Sequence, residues 1–265
     1  METDKVFAGP VPQLYDQHLG PILFQPFADA VAERLGKADR DILETAAGTG
    51  VVTRAMMAAL PESRIVATDL NQAMLDVAAA KTQAGDVKWQ KVDAQSLPFD
   101  AASFDVVACC FGMMFMPDKQ AAYREALRVL RPKGRFIFTV WDRLETNPLM
   151  DVADATVAGL FPQDPPHFLA RTPCGYNDKA TIERDARAAG FTSVTIEEVQ
   201  RDAAVSSAGE PAMGFCQGTP LRGEIEARAA DGLVRATTAV AAALRKRFGD
   251  GPFRTSQQAL LVTAS

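Results

Sequence analysis

The spacing of apolar residues changes period repeatedly along this chain. From about Lys37 to Asp142, short and mostly apolar runs (Ile42-Leu43, Ile65–Ala67, Val87–Val92, Phe104–Cys110 and Phe136–Trp141) alternate with stretches where apolar residues recur every three or four positions. Runs of that length, separated by amphipathic helices, predict a parallel α/β sheet. One helical side carries Val51, Val52, Ala55, Met56, Ala59 and Leu60, and another carries Tyr123, Ala126, Leu127 and Leu130. Pro61 and Pro132 stop these two helices, because proline has no N–H to continue the ladder. Asn71 stands at an N-cap position before the Met74, Leu75, Ala78 stripe, and Gly134 turns the chain into a strand starting near Arg135.

The pattern breaks between Leu144 and Tyr176, where Pro148, Pro162, Pro165, Pro166 and Pro173 interrupt the apolar residues. This segment reads as an inserted cap without continuous regular structure. Regularity returns with a helix carrying Ile182, Ala186 and Ala189, stopped by Gly190, and a strand near Thr192–Val199. A second insertion runs from Arg201 to about Gly251 and contains a helix with Leu233, Val240, Leu244 and Phe248 on one side. A short apolar strand, Ala259–Thr263, closes the chain. The layout is one domain: residues 1–35 as N-terminal helices, 36–142 as the core, 143–180 as a first insertion, 181–200 as a returning helix and strand, 201–252 as a second insertion, and 253–265 as the final strand.

Composition narrows the function. The 265 residues are 48% apolar and 23% charged, which suits a folded globular chain and argues against disorder. Twenty-eight basic against 33 acidic residues leave a net charge of −5 and no broad basic surface, so nucleic acid is not an expected partner. The longest uncharged apolar run, Val106–Pro117, is shorter than the roughly 18–20 residues that cross a bilayer. The opening residues lack the basic and apolar regions of a secretory signal, so a cytosolic setting with reduced thiols is expected. Cys109, Cys110, Cys174 and Cys216 form no C-x-x-C pair, and with only His18 and His167 available no metal site is expected.

The most informative stretch is Asp41-Ile-Leu-Glu-Thr-Ala-Ala-Gly-Thr-Gly50, an apolar strand that runs through small residues directly into a helix. Gly48 and Gly50 remove side chains that would block a ligand, and the helix N-terminus behind them offers free N–H groups. Asp69 follows the second strand about 20 residues later, where a carboxylate can accept from both hydroxyls of a ribose. Asp93 follows the third strand. In a parallel sheet these strand ends share one edge, so the loop, Asp69 and Asp93 converge on one crevice. No Lys-Ser/Thr pair follows Gly50, and there is no third glycine, so neither a Walker loop nor a G-x-G-x-x-G turn is present. The acidic Glu44 before the loop suits a ligand carrying an ammonium group better than a pyrophosphate.

Taken in order, Ile42–Gly50, Ala67-Thr-Asp-Leu-Asn-Gln-Ala-Met-Leu75, Val92-Asp-Ala-Gln-Ser-Leu-Pro-Phe99, Phe104-Asp-Val-Val107 and Ala126-Leu-Arg-Val-Leu-Arg-Pro-Lys-Gly-Arg-Phe136 resemble the class I S-adenosylmethionine-dependent methyltransferases. The likeness is to the small-molecule branch similar to ubiquinone/menaquinone C-methylases, over roughly Val31–Asp142. It implies a Rossmann-like sheet of seven mostly parallel strands, helices on both faces, an N-terminal lid and cap insertions. It also implies S-adenosylmethionine as cofactor. The Glu44–Gly50 loop, including Ala46, would hold the methionine part, Asp69 the ribose, Leu70 an adenine face, Asp93 and Ala94 the adenine edge, and Cys110 the ammonium through its carbonyl. Ala46 and Ala47 stand where the family more often has glycine and cysteine. By the same resemblance Tyr15 belongs to a lid over the cofactor, while Asp16 is expected to cap a helix or face solvent.

After the fourth strand, Cys110-Phe-Gly-Met-Met-Phe-Met-Pro117 is free of charge and rich in thioethers, which suits an apolar pocket for a small methyl acceptor. Phe111, Met114, Phe168, Tyr176 and Phe215 are the candidate acceptor residues, each with core packing as the alternative. His18 and His167 are candidate general bases, since histidine titrates near neutrality. Cys216 has no basic neighbour in sequence to activate it. Two other functions share these features: a nicotinamide-dependent oxidoreductase, and a cofactor-binding protein without transfer activity.

Overall fold

The computed structural model describes residue 4, residues 7–82 and residues 87–265. The chain forms two compact units, the first of Met1–Pro26, Asp142–Gly175 and Gln200–Gln258, the second of Phe27–Trp141, Tyr176–Val199 and Ala259–Ser265. Its elements in order are α1 (Val11–His18), a π-helical turn (Gly20–Phe24), α2 (Gln25–Ala32), β1 (Asp41–Thr45), α3 (Val51–Ala59), β2 (Arg64–Asp69), α4 (Gln72–Lys81), β3 (Val87–Lys91) and β4 (Phe104–Cys110). They continue with α5 (Lys119–Val129), β5 (Leu130–Trp141), α6 (Pro148–Leu160), α7 (Phe168–Arg171), α8 (Lys179–Ala188), β6 (Val194–Val205), α9 (Gly209–Gln217), α10 (Leu221–Arg228), α11 (Gly232–Phe248) and β7 (Phe253–Ala264).

The seven strands lie in the order β3-β2-β1-β4-β5-β7-β6. β1 pairs in parallel with β2 and β4, β2 with β3, and β4 with β5, whereas β7 runs antiparallel to β5. The central strands explain their own position: Ile42 and Leu43 in β1, and Val106 to Cys109 in β4, are buried, as strands covered on both faces require. Side-chain alternation along β5 shows that both faces are covered. Phe136 and Phe138 lie against Tyr123 of α5, while Trp141, of opposite parity, lies edge-on to Phe27 of α2 at 5.3 Å. The alternation of strands and helices in the sequence is therefore realised as a Rossmann-like α/β sheet.

Three expectations are corrected. The segment after Leu144 is not irregular: α6 spans Pro148–Leu160, with Pro148 in its first turn and Pro162 just beyond its end. Proline is tolerated at those positions, where the N–H has no intrahelical partner, so the prolines frame the helix without breaking it. Leu130 belongs to β5 rather than to the α5 stripe, because it pairs with Phe104 before a register irregularity that precedes the Arg135 pairing. The last two strands are also longer than the apolar runs that signalled them: β6 continues to Val205, and β7 begins at Phe253.

In the first unit, α6 starts from a buried polar hub. Asn147 is fully buried, donates from Nδ2 to the Gln258 and Arg143 carbonyls at 3.0 and 3.1 Å, and accepts from the Gln258 N–H at Oδ1 at 3.0 Å. Removing this side chain takes away the acceptor of the Gln258 N–H, while the Gln258 carbonyl keeps its bond from the Asp142 N–H and the Arg143 carbonyl keeps those from Thr146. Asn147→Ala is expected to lower unfolding stability by about 1–3 kcal/mol, measured by chemical denaturation.

Candidate functional site

In the second unit the parallel strands β3, β2, β1 and β4 are neighbours, so their carboxyl ends form one edge. The residues leaving that edge are the Ala46–Gly50 loop, Asp69, Asp93 and the turn from Phe111. The loop is anchored to β2 by backbone as well as side chain: Ala47 N–H donates to the Thr68 carbonyl and Gly48 N–H to Asp69 Oδ2, both at 2.9 Å. Asp69 Oδ1 accepts from Asn71 N–H at 2.7 Å and from Asn71 Nδ2 at 3.3 Å. Asn71 occupies the helix-cap position, yet its side chain serves Asp69 and makes no cap hydrogen bond. Burial raises the Asp69 pKa, opposed by the N–H groups of Asn71 and Gly48. A carboxylate has about four acceptor sites, so acceptance remains at Oδ2 for a ligand hydroxyl.

Gly50 begins α3 at φ 77°, and a Cβ there would lie 3.0 Å from both Ala78 Cβ and Trp89 Cη2. Glycine is therefore required both by the backbone and by space. Ala46 also has positive φ, 55°, as does Phe111 at 56°. Left-handed backbone costs a non-glycine residue about 1–2 kcal/mol, so strain is stored at the ends of two adjacent strands. The two turns press together at Gly112, where a Cβ would fall 2.5 Å from Ala46 Cβ and 2.7 Å from Cys109 Sγ.

Glu44 lies inside β1, 1% exposed, and accepts from Thr53 Oγ1 at 2.5 Å. Burial pushes its pKa up to about 8, with the charge of Asp69 adding to the rise and Thr53 and Arg54 opposing it. Thr49 in the loop is also buried, and its Oγ1 has no hydrogen-bond partner among the described residues. Beside Asp69, Leu70 is 44% exposed, which leaves an apolar side chain at the edge of the sheet. Asp93 turns its carboxylate onto Gln95, accepting from the backbone N–H and from Nε2, each at 2.9 Å. Ala94 is half-buried beside it. This edge can accept hydrogen bonds from hydroxyls, attract a cation and cover a flat apolar group.

Cys110 ends β4, and its Sγ accepts from Thr139 Oγ1 at 3.0 Å. Phe111 is buried, its N–H donates to the Thr139 carbonyl at 3.0 Å, and its ring stacks on Trp141 at 3.9 Å. Met114 is buried in the short helical turn that follows. Tyr176 is not brought to this group. Its hydroxyl donates to Asp185 Oδ2 at 2.9 Å and meets the Tyr123 hydroxyl at 3.3 Å, beside Phe136 and Phe138 on the other face of β5.

Within the first unit, Tyr15 stacks on Phe24 at 4.7 Å and meets Phe7 edge-on at 5.7 Å. Its neighbour Asp16 is 6% exposed, so it neither faces solvent nor caps the helix, lying instead mid-way along α1 on the buried side. His18 is half-buried at the end of α1. Phe168 and Phe215 are each 1% exposed. His167 places Nδ1 3.0 Å from Oδ2 of the buried Asp154, which leaves Nε2 as the acceptor when the ring is neutral. Burial lifts the Cys216 thiol to about 12, which leaves it without nucleophilic character. Among the described residues no cluster of potential metal ligands occurs, and no helix is long and apolar enough to cross a membrane. Sequence reasoning passed over Thr49, Thr53 and Gly112, whose importance depends on contacts between separate segments.

Comparison with known proteins follows the same segment. A family model described as a methyltransferase domain matches residues 42–134. The ubiquinone/menaquinone biosynthesis C-methyltransferase UbiE of Idiomarina loihiensis is 30% identical over 172 residues, covering 60% of this chain and 68% of the relative. That of Caulobacter vibrioides is 33% identical over 186 residues, covering 63% and 74%. Among solved structures, a Haemonchus contortus phosphoethanolamine N-methyltransferase 2 complex with S-adenosylhomocysteine shares the fold at a TM-score of 0.60 and 17% identity, over 96% of this chain and 56% of that one. YcgJ from Bacillus subtilis does so at 0.55 and 20%, over 90% and 97%.

Two outcomes follow from the geometry of this edge. Gly112→Ala forces a methyl group into Ala46 and Cys109, so it should cost about 1–3 kcal/mol in thermal or urea denaturation. Glu44 titrates near 8 in the folded chain but near 4.5 when unfolded, so the folded state holds the extra proton between these values. Stability should therefore fall as pH rises through that window, with a slope approaching about 1.4 kcal/mol per pH unit, and level off above it. Glu44→Gln should remove this slope, checked by urea denaturation at pH 6 and pH 9.

Proposed function

The chain belongs to the class I S-adenosylmethionine-dependent methyltransferases of small-molecule type, and from that premise we propose how its residues divide the work. The observation that carries the proposal is Asp69, a buried carboxylate pinned by Gly48 and Asn71 with acceptor capacity remaining at Oδ2. Asp69 takes the ribose hydroxyls. Ala46, Gly48 and Gly50 leave the loop backbone open to the methionine part, and Glu44, protonated below about pH 8 in the free chain, is drawn toward its ionised form by a cationic ligand beside it. Leu70 covers one face of the adenine, Asp93 and Ala94 meet its edge, and the Cys110 carbonyl takes the ammonium.

When bound, the cofactor supplies a methyl group already activated on a sulfonium sulfur. The protein's part is then largely alignment, which can lower a barrier by about 7–11 kcal/mol at its best. A strong acid–base pair is not required. The acceptor is an uncharged, partly aromatic small molecule, and Phe111 and Met114 are its apolar contacts. The UbiE relatives are named C-methyltransferases of ubiquinone/menaquinone biosynthesis, which supports carbon as the methylated atom. The acidic composition speaks against nucleic acid as a partner.

Calorimetric titration tests the assignment. S-adenosylmethionine and S-adenosylhomocysteine should bind, while NAD and NADP give no heat. Asp69→Ala should weaken binding of both adenosyl compounds by about 1.5–3 kcal/mol, roughly 10- to 150-fold, through loss of charge-assisted hydrogen bonds. Unchanged affinity in this variant, or binding of the nicotinamides alone, would refute it.

A further inference from the structure

Within the second unit, Gln95 joins the segment after β3 to the start of α5. Its Nε2 donates to both oxygens of Asp93, at 2.9 and 3.2 Å, and its Oε1 accepts from the Asp118 N–H at 2.9 Å. Asp118 caps α5 by accepting from the Ala121 N–H at 2.9 Å, and the next residue, Lys119, reaches back over the turn that follows β4. The Lys119 ammonium donates to the Met116 carbonyl at 2.9 Å and to that of Met114 at 3.5 Å, and it lies 4.8 Å from the centre of the Tyr176 ring. Two carbonyls and an aromatic face thus take its three N–H groups. Further along, the Leu97 N–H donates to Glu125 Oε2 at 2.7 Å, and the Leu97 and Phe99 carbonyls accept from Arg128 at 2.9 and 2.7 Å. The segment after β3 is therefore fastened to α5 along its length.

We propose that Gln95 is a positioning residue: a cofactor whose adenine is held at Asp93 and Ala94 steadies the turn carrying Met114 through Gln95, Asp118 and Lys119. The amide suits this part because its donor and acceptor ends lie in one rigid plane, so the orientation of the Asp93 carboxylate is carried to the Asp118 N–H. A carboxylate has about four acceptor sites, and the Gln95 N–H and Nε2 together already place three contacts on Asp93. A ring amine donating to Asp93 therefore fixes how carboxylate and amide face each other. Hydrogen bonds in a chain polarise one another, and ordering one member lowers the cost of ordering the next. Methyl transfer depends on alignment, so a turn steadied when the cofactor is in place is steadied when the reaction needs it. The inference rests on the methyltransferase reading, whose adenine edge and acceptor turn it connects.

Hydrogen–deuterium exchange of the full chain at pH 8, free and saturated with S-adenosylhomocysteine, tests the link in wild type, Gln95→Met and Gln95→Glu. The reporters are the amides of residues 94–97 and those of Phe115 and Met116, which donate to the Gly112 and Met113 carbonyls at 3.0 and 3.3 Å. In wild type the ligand should slow exchange at both places, and at the turn by at least about fivefold, the lower end for coupled sites. Gln95→Met keeps the length of the side chain but neither end of the amide, so the slowing at 94–97 should persist and that at the turn should be lost. Gln95→Glu separates a relay from mere support. Its carboxylate still accepts from the Asp118 N–H but cannot donate to Asp93, so a supporting role would keep the wild-type response and a relay loses it. No response at Phe115 and Met116 in wild type, or an undiminished one in either variant, overturns the Gln95 link while the cofactor assignment stands. Absence of slowing at 94–97 in wild type overturns the adenine edge, and failure to bind S-adenosylhomocysteine overturns the methyltransferase reading itself. Should the Met variant not fold, the Glu variant decides.

Discussion

The burial of two carboxyl groups side by side governs the sheet edge. Asp69 is drawn out of water between the glycine loop and Asn71, and it takes its hydrogen bonds from backbone N–H groups and the Asn71 amide rather than from a counter-ion. Glu44, close enough to feel that charge, has only the Thr53 hydroxyl and Arg54 in its favour and holds its proton up to about pH 8. Each arrangement dictates the next. Because Asp69 needs the Gly48 N–H, the loop must turn through left-handed backbone at Ala46, Gly48 and Gly50. Because the loop turns there, α3 starts where Thr53 can reach Glu44. A cationic ligand at this edge favours the ionised form of Glu44, so binding and proton release are coupled through the same two residues.

The strained turn after β4 belongs to the same construction. Phe111 is a bulky residue at positive φ, a conformation that persists only when its surroundings over-determine it. Here the surroundings do so: its N–H is held by the Thr139 carbonyl, its ring is stacked on Trp141 and crossed by Phe27, and the next residue is a glycine pressed against Ala46. The turn that would contact an acceptor is thus braced against the loop that would hold the cofactor, within one unit of the fold. Placement of this rigidity suits a reaction whose rate depends on aligning two molecules.

What the sequence revealed and what it hid differ in range. The strands and the helices α3 to α5 were readable because burial on a parallel sheet imposes a local period, Gly50 because a tight strand-to-helix turn demands glycine, and Asp69 as a carboxylate closing the second strand. The prolines between Leu144 and Tyr176 misled because composition does not say whether a proline interrupts a helix or frames it; Pro148 does the latter. Leu130 misled because a helix and the strand after it can share an apolar stripe across their junction. Asn71 was legible as a cap position but not as the donor to Asp69, and Thr53 and Gly112 carried no local signal. Their roles arise only when separate segments meet.

Buried polar groups in this chain fall into two kinds, those the chain itself satisfies and those it does not. At Asn147, Asp69 and Tyr176, buried polar atoms have donors and acceptors supplied by the chain itself, and each joins segments distant in sequence. At Thr49, Gln90, Ser256 and Gln257 some have no partner among the described residues. An orphaned hydroxyl inside a glycine loop and an orphaned amide on a locked strand are costs that folding alone gives no reason to keep, since an apolar residue of similar size would pack there without leaving a polar group bare. A ligand that restores those hydrogen bonds recovers the cost at the moment of binding. The same deficit that weakens the empty protein therefore sharpens its choice of what fills it, because a compound of the right size but the wrong polarity gains burial without repairing the deficit.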